Sequence, residues 1–215
     1  MTPSERPKDR LPCWALIPVK SRTRGKSRLA GVLETTRRAD LVEHLLRNVV
    51  AAALGADSIE RVLVVSPVER QLPPSVLAVH DLERGLISAL DVARRAALCA
   101  GAGRLLVLPA DLPLLTAADI DRFIDRVSGF DVAVAVDRAG SGTNGLWLPA
   151  TAEFQFRFGL NSARRHRVEA AVRGLSFAQF SLPALGFDLD TRDDLLEFLE
   201  ATRGEWGPSL MEVGV

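Results

Sequence analysis

Short apolar runs alternate with amphipathic helical segments along most of this 215-residue chain, and this alternation limits the folds open to it. The predicted strands are residues 13–19, 61–67, 104–111, 131–137, 144–149, 176–183 and 185–190. The predicted helices are residues 34–56, 88–103, 116–129, 162–174 and 191–204. Gly101 is the predicted stop of the second helix, and the Thr-x-x-Asp pattern of Thr116 and Asp119 resembles a capping box at the start of the third. Short loops between such elements predict an α/β fold, a single-domain mixed, mostly parallel sheet flanked by helices. Breaks in the alternation near residues 131–160 and 176–190 predict some antiparallel strands.

One folded domain is expected to occupy almost the whole chain. We expect a flexible leader at 1–10, the domain at 11–205 and an irregular tail at 206–215. A formal net charge of zero argues against bulk binding to nucleic acid or to an anionic membrane surface. Two cysteines are too few for a disulfide framework, and no apolar run has the length of a membrane span. The first residues also lack the apolar core of a signal peptide, so we predict a cytoplasmic protein.

The loop after the first predicted strand is strongly basic. It carries five cations within nine residues, which are Lys20, Arg22, Arg24, Lys26 and Arg28. Ligands of parallel sheets bind beyond the carboxyl ends of the strands, and cations placed there suit a polyphosphate. A solvated basic loop is also compatible with these residues. The loop is not a P-loop, because position 20 holds a lysine where that motif requires glycine, and no dinucleotide-binding glycine fingerprint follows a strand.

Three aspartates lie at the ends of predicted strands. Asp111 ends an apolar run, where an unpaired carboxylate is costly, while Asp188 and Asp190 fall on one side of an extended segment. If the two strands are neighbours, the three carboxylates share a site and repel one another unless a cation neutralises them. Oxygen ligands of this kind predict Mg²⁺, with Mn²⁺ as a substitute. Alternatively, Asp190 or Thr191 caps the last helix, which would leave the other two aspartates unexplained.

Two further segments carry small and polar residues that suit ligand binding, namely Thr143, Asn144, Gly159, Asn161, Ser162 and His166. The first two belong to a glycine-rich turn, for which an ordinary hairpin turn is the alternative. The others precede or begin a helix whose free N–H groups can hold a carboxylate or a phosphate. A plain N-cap is the alternative for Ser162, and a substrate contact is predicted for His166.

Six blocks of the sequence, taken in order, resemble those of the 2-phospho-L-lactate guanylyltransferase family. They read "IPVKSRTRGKSRLAGVL", "VLVVSP", "LPADLPLLT", "GTNGL", "FGLNSARRH" and "FDLDTRDDL". This family also includes phosphoenolpyruvate and 3-phosphoglycerate guanylyltransferases of deazaflavin coenzyme biosynthesis. The "PADLPLL" block is shared with other nucleotidyltransferases, such as those of molybdenum cofactor synthesis, whereas the last three blocks are more specific. The resemblance covers nearly the whole chain.

The resemblance implies a nucleotidyltransferase domain of the glycosyltransferase-A type that uses GTP. Such an enzyme joins the guanylyl group to a phosphorylated three-carbon acid and releases pyrophosphate. The implied ligands of the acid's carboxylate are Thr143, Gly159 and Ser162, and the implied Mg²⁺ ligands are Asp111, Asp188 and Asp190. Lys26 and Asp111 are the expected catalytic residues. The expected nucleotide contacts are Lys20, Lys26, Arg28, Ser66 and Gly85, of which the last two follow from their position alone.

Two segments depart from the family pattern. Ile87 replaces a common asparagine, while Leu160 and Asn161 replace a proline and a glycine. A polar Asn161 beside an extra hydroxyl would favour 3-phosphoglycerate as the acceptor. Other interpretations are a nucleotidyltransferase for a molybdopterin, a sugar phosphate or a phosphonate, and a nucleotide-binding regulator without catalysis. Family members are often dimers, so a homodimer is also an expectation.

Overall fold

The computed structural model describes residues 11–19, 26–81 and 84–202. The predicted leader at 1–10 and tail at 206–215 lie outside the described residues, as do Lys20, Arg22 and Arg24. The described part contains a single seven-stranded sheet with helices on both faces. The predicted α/β fold with a mixed, mostly parallel sheet is therefore confirmed.

The strands are β1 (Cys13–Pro18), β2 (Arg61–Ser66), β3 (Val76–His80), β4 (Arg104–Val107), β5 (Val132–Ala135), β6 (Gly145–Pro149) and β7 (Phe177–Phe180). The helices are α1 (Thr35–Gly55), α2 (Leu86–Cys99), α3 (Ala117–Val127), α4 (Ser162–Val172), α5 (Pro183–Gly186) and α6 (Arg192–Ala201). A short 3-10 helix covers Ser27–Leu29. The strand order is β3-β2-β1-β4-β6-β5-β7. Strand β6 pairs antiparallel with β4 and β5, whereas the other pairs are parallel.

Apolar side chains bury both faces of the sheet. Alternate residues of β1 point to opposite sides, so that Ile17 packs in the cluster that contains α1 and α3, while Leu16 packs in the cluster that contains α2 and α4. Burial on both faces explains why the central strands read as continuous apolar runs rather than as alternating ones. A third cluster, beneath α6, contains Phe187 and Leu189 and anchors the segment that carries Asp188 and Asp190.

Several local signals in the sequence are confirmed. The Thr116 side chain accepts from the Asp119 N–H at 3.3 Å, and the Asp119 carboxylate accepts from the Thr116 N–H at 3.2 Å, which is the predicted capping box of α3. Helix α2 ends at Cys99, just before Gly101, whose φ of 95° suits a residue without a Cβ.

The structure differs from the predicted strands at four points. Strand β3 was not predicted, because it is a short edge strand with exposed side chains that follows two prolines. Segment 185–190 is not a strand, since Pro183 begins a helical turn and residues 187–190 lie outside the sheet. The antiparallel addition near 176–190 is also wrong, because β7 pairs parallel with β5. Strand β4 ends at Val107, so Asp111 lies in the following loop.

Candidate active site

A cavity of about 560 Å³ opens at the carboxyl ends of β1, β2, β3 and β4. Its volume lies within the range of small-molecule sites, and its place at the strand ends is the one that this class of sheet uses for ligands. Polar or charged groups that line it include Lys26, Asp81, Asp111, Thr143 and Asp190. The structure thus brings predicted residues from four separate sequence blocks to one cavity.

The ammonium of Lys26 lies between two of the predicted carboxylates. Its Nζ donates to Asp111 Oδ2 at 2.7 Å and to Asp190 Oδ1 at 2.9 Å. The Lys26 side chain is only 6% exposed. Burial by itself lowers the pKa of Lys26, but the charges and hydrogen bonds of Asp111 and Asp190 outweigh burial, so the pKa is raised. The described structure therefore holds a charged lysine against two carboxylates inside the cavity.

Backbone contacts bring these carboxylates together. The Leu189 N–H donates to the Asp111 carbonyl at 3.0 Å, which joins the segment before α6 to the loop after β4. Helix α6 is capped by Thr191, whose side chain accepts from the Asp194 N–H in a capping box. The alternative in which Thr191 caps this helix is therefore correct, while the Asp190 carboxylate faces Lys26.

Asp188 lies beside the glycine-rich turn. The Asn144 side-chain amide donates to Asp188 Oδ1 at 3.2 Å. Burial raises the pKa of Asp188, and the charges of Asp111 and Asp190 raise it further, although the hydrogen bond from Asn144 opposes them. The three predicted carboxylates thus interact electrostatically, although they arise from segments 77 to 79 residues apart.

The donor set suits a hard divalent cation in its chemistry, because it consists of carboxylate oxygens that repel one another. In the part of the chain that the structure describes, however, no three His, Cys, Asp or Glu side chains are gathered as a metal-binding group. The ammonium of Lys26 pairs with both Asp111 and Asp190 in this structure, and the guanidinium of Arg28 also lies near Asp190. Mg²⁺ binding by Asp111, Asp188 and Asp190 stays a prediction.

Three predicted acid-binding residues form a buried hydrogen-bonded chain. Ser162 Oγ donates to Thr143 Oγ1 at 3.0 Å, and Thr143 Oγ1 lies 3.1 Å from His166 Nδ1. Ser162 is not the N-cap of α4, because Asn161 holds that position and the Ser162 side chain turns toward Thr143. Of the three, Thr143 lines the cavity, whereas His166 is completely buried. The structure gives no support to direct substrate contact by His166.

The turn before α4 is built from two residues with positive φ. Gly159 has a φ of 110°, and Asn161 has a φ of 54°, in the left-handed region that asparagine tolerates better than most residues. The Ser162 N–H donates to the Gly159 carbonyl and the Ala163 N–H to the Ser141 carbonyl, so these two N–H groups are already used. Leu160, beside them, is 85% exposed.

The predicted nucleotide contacts have different surroundings. Arg28 is exposed and lies 3.7 Å from Asp190, and Gly85 lines the cavity at the start of α2. Ser66 is buried, and its hydroxyl donates to the Val68 carbonyl while accepting from Arg70 Nε. Because those bonds occupy the hydroxyl in a local turn, the structure does not present it to the cavity.

Asp81 and Phe158 line the cavity, although neither was predicted to contact a ligand. Asp81 follows β3, so its place at the strand ends became visible only when that strand was found. Phe158 lines the cavity and packs edge-on against His166, with 4.9 Å between the ring centroids. The aromatic-rich run before Gly159 was the signal available for Phe158.

Among the described helices, none combines the length and the apolar character that a membrane span requires.

Curated relatives resemble this chain over most of its length. A phosphoenolpyruvate guanylyltransferase of Rubrobacter xylanophilus is 41% identical over 89% of this chain and 95% of its own. A 3-phospho-D-glycerate guanylyltransferase of Phenylobacterium zucineum is 33% identical over 93% and 94% of the two chains. A 2-phospho-L-lactate guanylyltransferase of Methanothermobacter thermautotrophicus is 35% identical over 86% and 83%.

Solved structures share the fold. A proposed nucleotide-diphospho-sugar transferase of Desulfovibrio desulfuricans superposes with a TM-score of 0.71 at 15% identity, over 90% of this chain and 88% of its own. A 4-diphosphocytidyl-2C-methyl-D-erythritol synthase has a TM-score of 0.57 at 17% identity, over 88% and 98%. At these identities, the similarity shows that this chain shares the fold of these structures.

The family model of CofC-like guanylyl transferases matches residues 13–207, which is most of the chain. The matched region includes the cavity and the segments that carry Asp111, Asp188 and Asp190, the glycine-rich turn and the start of α4. The chain therefore belongs to the CofC-like guanylyl transferase family and is a nucleotidyltransferase.

Proposed function

We propose that this enzyme transfers GMP from GTP to the phosphate of a phosphorylated three-carbon acid in deazaflavin coenzyme biosynthesis. The observation that carries the proposal is that Thr143 lines the same cavity as Lys26, Asp111 and Asp190. The same cavity thus has a hydroxyl that can donate to a carboxylate and a charged cluster that can bind phosphates. The acceptors named for three relatives all carry one carboxylate and one phosphate, which is the pair of groups that such a cavity suits.

The reaction needs positioning more than proton transfer. The acceptor phosphate has a second pKa of about 6, so its oxygen is already a good nucleophile at neutral pH. That oxygen attacks the α-phosphorus of GTP, the bond from the α-phosphorus to the bridging oxygen breaks, and pyrophosphate leaves. No general base is required, which agrees with a cavity whose nearby histidine is buried.

The charged cluster has two parts to play in this reaction. Lys26 moves from the carboxylates to the triphosphate as the nucleotide enters, and it stabilises the negative charge that develops on pyrophosphate. When bound, Mg²⁺ would be held by Asp111, Asp188 and Asp190 and would neutralise the two anions and polarise the α-phosphate. Asn144 orients the Asp188 carboxylate through its 3.2 Å hydrogen bond.

The guanine is expected at the other end of the cavity. Gly85 and Leu86, at the start of α2, and Asp81, after the edge strand β3, line the cavity. The N1–H and amino group of guanine are both donors, and a carboxylate such as that of Asp81 has the matching acceptors. We therefore assign to Asp81 the specificity for GTP over ATP and CTP. In Asp81→Asn, the ratio of turnover with GTP to turnover with ATP or CTP should fall.

We expect phosphoenolpyruvate to be the preferred acceptor. The named relative with 41% identity uses this acid, and the left-handed backbone at Asn161 accounts for that residue without a substrate hydroxyl.

The direct test offers GTP and Mg²⁺ with phosphoenolpyruvate, 3-phosphoglycerate or 2-phospho-L-lactate in separate reactions and measures pyrophosphate. A coupled step should trap a labile product, and reactions without acid or with CTP serve as controls. The proposal would be refuted if none of the three acids raised pyrophosphate release above that of the reaction without acid.

A further inference from the structure

We propose that His166 is a positioning residue that fixes the direction of the hydrogen bonds between Thr143 and Ser162, so that one hydroxyl hydrogen is directed to the acceptor's carboxylate. This inference rests on the proposed function, because it assigns a role in binding the acid. It differs from direct substrate contact, since His166 is completely buried and Thr143 separates it from the cavity.

The contact of one ring nitrogen determines the role of the other. The backbone N–H of Arg157 lies 3.0 Å from His166 Nε2, and a backbone N–H can only donate, so Nε2 is an acceptor without a proton. In a neutral imidazole the proton is then on Nδ1. The Nδ1–H group therefore donates to Thr143 Oγ1 at 3.1 Å.

The remaining hydrogen bonds of the chain follow from counting donors. Thr143 Oγ1 accepts from His166 and from Ser162, which uses both of its lone pairs. The hydroxyl hydrogen of Thr143 is then available, and Thr143 lines the cavity. If Nδ1 lacked its proton, Thr143 would donate its hydroxyl hydrogen to Nδ1, and that hydrogen would no longer be available to the cavity. An anion such as a carboxylate is the ligand that a donor of this kind favours.

The surroundings of the ring hold it in this state. Phe154 stacks against it at 5.8 Å between centroids, and Phe158 packs edge-on at 4.9 Å. The charged groups that face it are Arg157, Arg165 and Glu169. Burial, followed by the charges of Arg165 and Arg157, lowers the pKa of His166 to about 4, while Glu169 opposes them weakly. The ring is therefore neutral at pH 7, as the Arg157 contact requires.

Two matched substitutions separate positioning from simple packing. His166→Asn places an amide N–H near the position of Nδ1 and keeps the donor to Thr143, whereas His166→Gln places a carbonyl near Nε2 and keeps the acceptor for Arg157. We expect His166→Gln to raise the KM for the acid by about 10-fold to 100-fold, with the KM for GTP unchanged. His166→Asn should stay within about threefold of the wild type.

A second measurement uses the resting wild-type enzyme, so it requires neither a folded variant nor turnover. Nitrogen-15 NMR of the imidazole in the resting wild-type enzyme at pH 7 should show a protonated Nδ1 and an unprotonated Nε2. The opposite tautomer overturns the inference, and so does a KM for the acid that rises in His166→Asn but not in His166→Gln. If the wild-type enzyme releases no pyrophosphate with any of the three acids, the proposed function fails, and this role fails with it. If the wild-type enzyme turns over but His166 is protonated on Nε2 instead of Nδ1, this inference fails while the proposed function stands.

Discussion

The Nζ atom of Lys26 lies 2.7 Å from Asp111 Oδ2, although 85 positions separate the two residues in the sequence. The same ammonium donates to Asp190, which lies 164 positions away. A lysine of the basic loop and the aspartates of two distant loops therefore form one charged cluster in the lining of the cavity. This cluster connects the two sequence signals that resembled a polyphosphate site and a metal site.

Removal of the Lys26 charge is expected to reduce both activity and stability. In Lys26→Met, Asp111 and Asp190 lose their shared cation, and the departing pyrophosphate loses a stabilising charge. We expect pyrophosphate release to fall by about 100-fold or more. Because the two carboxylates are 30% and 42% exposed, the loss in unfolding free energy should be only about 1–2 kcal/mol. Urea denaturation measures the second effect, Lys26→Arg is the charge-preserving control, and near-normal turnover of Lys26→Met would contradict the assignment.

Each of the three aspartates is expected to be essential for turnover and dispensable for the fold. Asp111→Asn, Asp188→Asn and Asp190→Asn each remove a charge that a Mg²⁺ ion would need, so pyrophosphate release should fall by about 100-fold or more. Calorimetric titration of Mg²⁺ into the enzyme in the presence of GTP should show weaker Mg²⁺ binding in the same variants. Circular dichroism should show that their secondary structure is retained. The matched control is Asp121→Asn, because that carboxylate accepts from the backbone of Asp57 and Ser58, outside the cavity lining. Full Mg²⁺-dependent activity in any of the three would refute its role as a ligand.

Burial of neutral His166 predicts that stability depends on pH. The pKa is about 4 in the folded protein and 6.5 when the ring is exposed, so the unfolded chain binds more protons between these values. Folding stability from this group is therefore complete above pH 6.5 and is lost as the pH falls toward 4, by at most about 3 kcal/mol. Urea denaturation of the wild type and of His166→Gln at pH 7 and pH 4.5 gives the difference. An equal loss of stability in both proteins would show that another group is responsible.

The left-handed conformation at Asn161 predicts which substitutions its position tolerates. Asn161→Gly should leave both stability and the preference among the three acids almost unchanged, because glycine adopts a φ of 54° without strain. Asn161→Val should cost about 1–2 kcal/mol in unfolding free energy, since a β-branched side chain is strained at that φ. Competition assays with pairs of acids measure the preference. A switch of acceptor in Asn161→Gly would instead support a contact between Asn161 and a substrate hydroxyl.

Much of this protein can be predicted from local sequence signals. Continuous apolar runs predicted β1, β2 and β4, because strands buried on both faces need apolar residues at every position. The threonine and aspartate at 116 and 119 predicted the start of α3, because a capping box depends only on residues within one turn. The order of Asp111, the glycine-rich turn and the "FDLDT" block predicted the family and the candidate site, since these motifs keep their order along the chain.

The arrangement of these elements depended on contacts between distant residues. The place of β3 at the sheet edge rests on hydrogen bonds to β2, and the short exposed segment carries little local signal. Lys26 was predicted to bind phosphate, but its contact with two carboxylates requires three loops to meet, which only packing of the whole sheet achieves. The tautomer of His166 likewise follows from bonds to Arg157 and Thr143, because a hydrogen bond needs a definite distance and direction that a linear sequence does not contain.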